Sequence, residues 1–105
     1  MTSTQKFLVA LAMAGIAFGA TAQTADRQAR TWAATCAACH GSDGRAQGAI
    51  PKIAGRDADQ ILRTLLEFKN GQRPAATVMH QHAKGYTDDE LRRIAQAFAS
   101  QSGGQ

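Results

Sequence analysis

Cys36-Ala37-Ala38-Cys39-His40 is the stretch on which the reading of this chain turns. Cysteines at i and i+3 of a helix face the same way about one turn apart, so two thiols can each form a thioether to one vinyl group of a single porphyrin. C-x-x-C-H is the pattern that attaches haem in this way. His40, at i+4 from Cys36, shares that face, and its neutral imidazole is placed to reach the iron as the proximal ligand. Three other uses of the pair fit less well. A structural zinc ion needs four protein ligands, and the 105 residues contain only these two cysteines. A thioredoxin-like redox pair needs a βαβ surround, for which no strand pattern is present. A disulfide between adjacent turns of one helix has poor geometry.

The start of the chain agrees with export. Lys6 precedes an uncharged apolar run of 14 residues, Phe7 to Ala20, and Ala20-Thr21-Ala22 is a small-x-small site before Gln23. This reads as a signal peptide over residues 1–22, cleaved near Ala22. The run is shorter than the roughly 20 residues of a transmembrane helix, so no membrane anchor is expected after cleavage, and a periplasmic location follows. The mature portion, residues 23–105, is a single domain of 83 residues. A chain that short buries a modest core and needs a staple. Haem can be that staple, since both cysteines are committed to it and the porphyrin offers a large apolar surface.

Without Lys6 the mature portion has 11 Lys plus Arg against 8 Asp plus Glu, a formal charge of +3. Two haem propionates bring it to about +1. Arg56, Arg63, Lys69, Arg73, Lys84, Arg92 and Arg93 are spread out with acids between them, which is not the stripe that nucleic acid requires. A solvated surface is the simple reading. A weakly basic rim that orients an acidic redox partner is the sharper one.

Hydrophobic periodicity predicts an all-α chain. Ala25, Ala29, Trp32 and Cys36 place a first helix over about Ala25 to Cys39, delivering the motif at its C-terminal end. Gly41, Gly44, Gly48, Gly55 and Pro51 make the next stretch a loop on the proximal side. Asp57 with Gln60 resembles a capping box before the apolar stripe Ile61, Leu62, Leu65, Leu66 and Phe68, giving a second helix over about Asp59 to Asn70. Thr87 with Glu90 is a better capping box. It opens a third helix, with Leu91, Ile94, Ala95 and Phe98 on one face, that runs to about Ser100 before a disordered Ser102-Gly103-Gly104 tail. Between the last two lies a long irregular connection, Gln72 to Tyr86.

That connection carries the candidate second axial ligand. Met79 is the only methionine in the mature portion, and it lies off any apolar helix stripe, where a filler methionine would be expected. His80 and His82 are its rivals, each read as a solvent-facing imidazole. A neutral, soft thioether favours ferrous iron and raises the reduction potential relative to a second imidazole. Two strong axial ligands leave no vacant position, so single-electron transfer rather than substrate chemistry is expected, and the chain is not an enzyme on its own. Pro51 supplies a backbone carbonyl that can accept the free ring N–H of His40. Arg45, Arg56 and Tyr86 are candidate propionate partners among which the sequence does not choose.

With these residues in place the mature portion resembles class I cytochrome c. That resemblance implies a small all-α fold, three main helices and loops wrapped around one covalently bound haem c, and it puts Trp32 at the crossing of the first and last helices, facing Phe98 or Ile94. Gln28 stands where many relatives have a glycine, so the helix contact is expected to rely on Ala29 and Ala33. Cys-Ala-Ala-Cys-His-Gly, Ala-Ile-Pro-Lys-Ile-Ala-Gly, Phe-Lys-Asn-Gly-Gln-Arg-Pro-Ala and Thr-Val-Met-His-Gln-His-Ala-Lys-Gly-Tyr are similar to the haem-binding subunit of flavocytochrome c sulfide dehydrogenase. In that family a flavoprotein subunit oxidises sulfide and the cytochrome subunit passes its electrons to an acceptor. The resemblance therefore implies a flavoprotein partner and a soluble or membrane acceptor. Some members carry two haem domains, whereas one motif here allows one haem. The alternative is a freely diffusing small cytochrome c shuttling electrons to an oxidase or from another dehydrogenase. A gas-binding haem protein with Met79 off the iron is the third reading.

Overall fold

Small residues on one helical face begin the packing. The computed structural model describes residues 27–101, and its first helix, α1, covers described residues 27–34 with Ala29 and Ala33 buried and Gln28 exposed. The expected signal peptide over residues 1–22 and the expected disordered Ser102-Gly103-Gly104 tail lie outside the described residues. The expected single helix through Cys39 is broken at Thr35 and Cys36, after which a short helix α2 spans Ala37–His40. At the break the Thr35 and Cys36 N–H groups donate to the i−3 carbonyls of Trp32 and Ala33 at 3.1 and 3.0 Å, and the Thr35 hydroxyl donates to the same Trp32 carbonyl at 2.8 Å. The same hydroxyl accepts from the Tyr86 phenol at 3.1 Å.

A 3-10 turn, Ser42–Gly44, follows, and a loop leads to α3 over Ala58–Lys69. Asp57 caps α3 by accepting from the Gln60 backbone N–H at 2.9 Å. The segment from Gln72 to Tyr86 is not irregular throughout, for it contains a seven-residue helix, α4, over Thr77–Ala83. The last helix, α5, spans Asp88–Ala99 behind a complete capping box: Glu90 N–H donates to the Thr87 hydroxyl at 3.2 Å and Thr87 N–H to the Glu90 carboxylate at 2.8 Å.

The regular elements among the described residues are all helical, with no strand, and the expected all-α class holds. The expected three main helices become five among the described residues, because the motif forms its own turn and the distal segment folds as α4. α3 packs on α5 and α4 packs on α3. Ala29, Ala33, Ile61, Leu91, Ile94, Ala95, Ala97 and Phe98 form one buried cluster. Leu91 and Ile94 are its largest fully buried side chains, each contributing about 1.5–3 kcal/mol by burial. Alanines on α1 and α5 belong to this cluster, as the sequence suggests for a chain without a glycine at position 28. Trp32 packs against the cluster's margin. Its ring meets Tyr86 edge-on, with centroids 6.4 Å apart, and the Arg93 guanidinium lies 4.7 Å from its centroid.

Candidate haem site

The break between α1 and α2 puts Cys36 at the edge of a cavity of about 350 Å3 that runs between α2, α3 and α5. Cys36 is half-buried, and burial pushes its thiol up, with partial opposition from the Thr35 hydroxyl. Cys39 lies one turn on, exposed and outside the cavity lining. His40 closes α2 and faces the cavity, where its Nδ1 lies 2.8 Å from the Pro51 carbonyl oxygen. A carbonyl can only accept, so the proton is on Nδ1 and the lone pair of Nε2 is left for another partner. Met79, carried by α4, lines the same cavity, as does Pro51.

Ile53, Ile61, Leu65, Phe68, Ile94 and Phe98 give the cavity its apolar wall. An apolar cleft that gathers a thiol, a Nδ1-protonated imidazole and a thioether from three segments fits a porphyrin with iron at its centre. The donor set is soft sulfur and imidazole nitrogen, and no buried side-chain polar atom among the described residues lacks a partner. Among those residues no three His, Cys, Asp or Glu side chains stand together as a metal-ion site.

Two of the sequence readings need revision here. His80 is not solvent-facing: it is half-buried, and its Nδ1–H donates to the Phe68 carbonyl at 2.7 Å, while His82 is exposed. Neither ring lines the cavity. Of the three candidate propionate partners only Arg56 lines it, since Tyr86 is engaged with Thr35 and Trp32. Arg73, read from sequence only as one of several scattered cations, lines the cavity as well. It forks onto the Glu67 carboxylate through Nε and Nη2, both at 2.7 Å, and its guanidinium lies 5.3 Å from the Phe68 centroid. The six-residue separation of Arg73 and Glu67 spans the turn after α3, so no helical spacing signals the pair.

An all-helical domain built around a C-x-x-C-H motif, with an apolar cleft shared by imidazole and thioether, defines a c-type cytochrome. The chain belongs to the family described as cytochrome c oxidase, cbb3-type, subunit III, whose model matches residues 23–96. That family implies covalently bound haem c, and Cys36 and Cys39 stand in the required spacing with His40. The chain is 47% identical over 68 residues to the cytochrome subunit of sulfide dehydrogenase from Chlorobaculum tepidum, covering 65% of this chain and 61% of that one. It is 34% identical to cytochrome c-554(548) of Halomonas halodenitrificans, over 64% of this chain and 84% of the relative. A match to cytochrome c4 of Pseudomonas aeruginosa is 36% identical and covers 90% of this chain but 45% of that protein. This chain thus spans well under the full length of two of the three. Among the described residues no helix is long and apolar enough to cross a membrane.

Proposed function

We propose that this chain is an exported monohaem electron carrier that serves as the cytochrome subunit of a flavoprotein sulfide dehydrogenase. In this reading residues 1–22 are removed and the mature protein works in the periplasm. Cys36 and Cys39 hold the porphyrin through thioethers, His40 is the proximal ligand and Met79 the distal one. The convergence of Cys36, His40 and Met79 on one apolar cavity, with Pro51 fixing the tautomer of His40, is the observation that carries it. Bound haem supplies a ferric/ferrous couple. The chain's residues do the rest: the Pro51 carbonyl orients the imidazole and holds the proton on Nδ1, Met79 would supply the second protein ligand, and Ile53, Phe68 and Phe98 would exclude water, which favours the less charged ferrous state.

The sulfide-dehydrogenase partnership is supported by the 47% identity to a cytochrome subunit of that name and by the motif-level similarity along the mature chain. A freely diffusing carrier is the second reading, supported by the match that covers 84% of cytochrome c-554(548). Expression with the leader in a host that attaches haem tests the chemistry: the mature protein should carry one tetrapyrrole by mass, and its ferrous form should resist carbon monoxide. Colourless protein, or ready carbon monoxide binding at neutral pH, would overturn it. Purification from the native periplasm separates the two partnerships. A flavoprotein that co-elutes and drives sulfide-dependent haem reduction supports the subunit; a solitary cytochrome that sulfide does not reduce supports the free carrier.

A further inference from the structure

The helix that carries Met79 does little to hold itself in place. α4 has seven residues and no side-chain cap at Ala76, and it buries only Ala83, while Val78 beside Met79 is 63% exposed. An isolated helix of that length is unstable in water. What fixes it must come from outside, and the structure supplies one direct tie: His80 Nδ1–H to the Phe68 carbonyl, 2.7 Å. Phe68 is in the last turn of α3, where its carbonyl accepts from Gly71 N–H at 3.2 Å and has a second lone pair for His80, and α3 is seated on α5. The Phe68 ring lines the cavity that Met79 also lines. One residue of a well-anchored helix therefore forms the cavity wall and holds the neighbour of the distal ligand.

We propose that His80 is a positioning residue for Met79, a latch whose Nδ1–H on the Phe68 carbonyl sets where the thioether sits. The proposal rests on the reading of Met79 as distal ligand. A carbonyl can only accept, so Nδ1 of His80 carries the proton of this bond, and the His80 ring lies outside the cavity lining. The latch leaves Nε2 unused, so a side chain that reproduces only the Nδ1 position can replace it.

The experiment is exogenous imidazole binding to the ferric haem-loaded protein, read together with the far-red sulfur-to-iron charge-transfer absorbance. His80→Ala should raise imidazole affinity roughly three- to tenfold, the population change that one net hydrogen bond supports, and weaken the far-red band. His80→Asn, whose amide nitrogen falls near the place of Nδ1, should stay within about twofold of the parent, while His80→Gln, which reaches toward the Nε2 place, should behave like His80→Ala. Rescue by Asn but not by Gln identifies the hydrogen bond rather than bulk. Affinity unchanged in His80→Ala, or His80→Asn no better than His80→Ala, overturns the latch. Met79→Ala is the control for the underlying reading: it should abolish the far-red band and bind imidazole without competition. A parent-like band in Met79→Ala overturns the ligand assignment itself, whatever His80 does.

Discussion

The segment that carries His40 and the segment that carries Met79 are fixed by different means. On the His40 side backbone is tied to backbone: Ala46 N–H to the His40 carbonyl at 2.6 Å, Ile53 and Ala54 N–H to the Gly44 carbonyl at 2.9 and 3.1 Å, and Gly55 N–H to the Phe98 carbonyl at 3.0 Å. On the Met79 side the backbone ties to α3 stop at Gly71 and Gln72, whose N–H groups donate to the Phe68 and Glu67 carbonyls at 3.2 and 2.9 Å, and past that turn the ties come from side chains, His80 on a carbonyl and Arg73 on Glu67. Backbone ties in a packed region break only with the fold, whereas a side-chain tie near water can open alone. Substitutions near His40 should therefore cost folding, and those near Met79 should cost ligation.

Phe98→Ala should have the largest effect. Its ring is 3% exposed, lines the cavity and packs over Gly44, while its carbonyl holds Gly55. Truncation of a buried phenylalanine costs about 3–5 kcal/mol, measurable as a shift in denaturant midpoint of the haem-loaded protein. A loss below about 1 kcal/mol would mean that the bracket around His40 does not depend on α5.

Two glycines of the same backbone conformation sharpen the contrast. Gly44 has φ +75° and Gly71, on the Met79 side, +72°, but a Cβ at Gly44 would stand 2.6 Å from Ile53 Cγ1 and 2.8 Å from Phe98 Cδ1, whereas nothing lies within 4 Å at Gly71. The left-handed conformation costs a side chain about 1–2 kcal/mol at either place, and overpacking adds about 1–3 kcal/mol at Gly44 alone. Gly44→Ala should thus lose about 2–5 kcal/mol and Gly71→Ala about 1–2 kcal/mol in parallel unfolding curves. Equal losses would show that the loop around Gly44 yields as readily as the turn after α3.

What was legible in the sequence follows the same division. α3 and α5 were placed to within a residue or two because their caps, Asp57 and Thr87, and their apolar stripes are local signals. The His40–Pro51 contact was readable because few acceptors lie within reach of a motif histidine. α4 was not legible: Thr77-Val78-Met79-His80-Gln81-His82-Ala83 has no cap and too little apolar surface for a stripe, and its helicity depends on docking to α3. The roles of Arg73 and His80 were hidden for the same reason, since Glu67 and the Phe68 carbonyl meet them only after the turn at residues 70–76 has formed. The break at Thr35 carries no periodicity signal, for a threonine hydroxyl bonded to a preceding carbonyl also occurs at Thr31 inside α1, and the contact peculiar to Thr35, with Tyr86, spans 51 residues.

The smallest effect is expected at the Arg73–Glu67 pair, and it tests the second tie to the Met79 side. The side chains are 48% and 37% exposed, so the ion pair itself should contribute no more than about 0.2–1 kcal/mol and fade with salt. Arg73 also stacks on Phe68, a contact that survives removal of the carboxylate. Glu67→Gln should therefore change unfolding and imidazole affinity slightly at low salt and hardly at all at high salt. Arg73→Ala removes both contacts and should raise imidazole affinity at either salt concentration, because the cation–ring contact is less screened than the exposed ion pair. If Glu67→Gln instead matches Arg73→Ala at every salt concentration, the carboxylate holds the turn by its geometry rather than by its charge. The Met79 side would then be stapled as firmly as the His40 side.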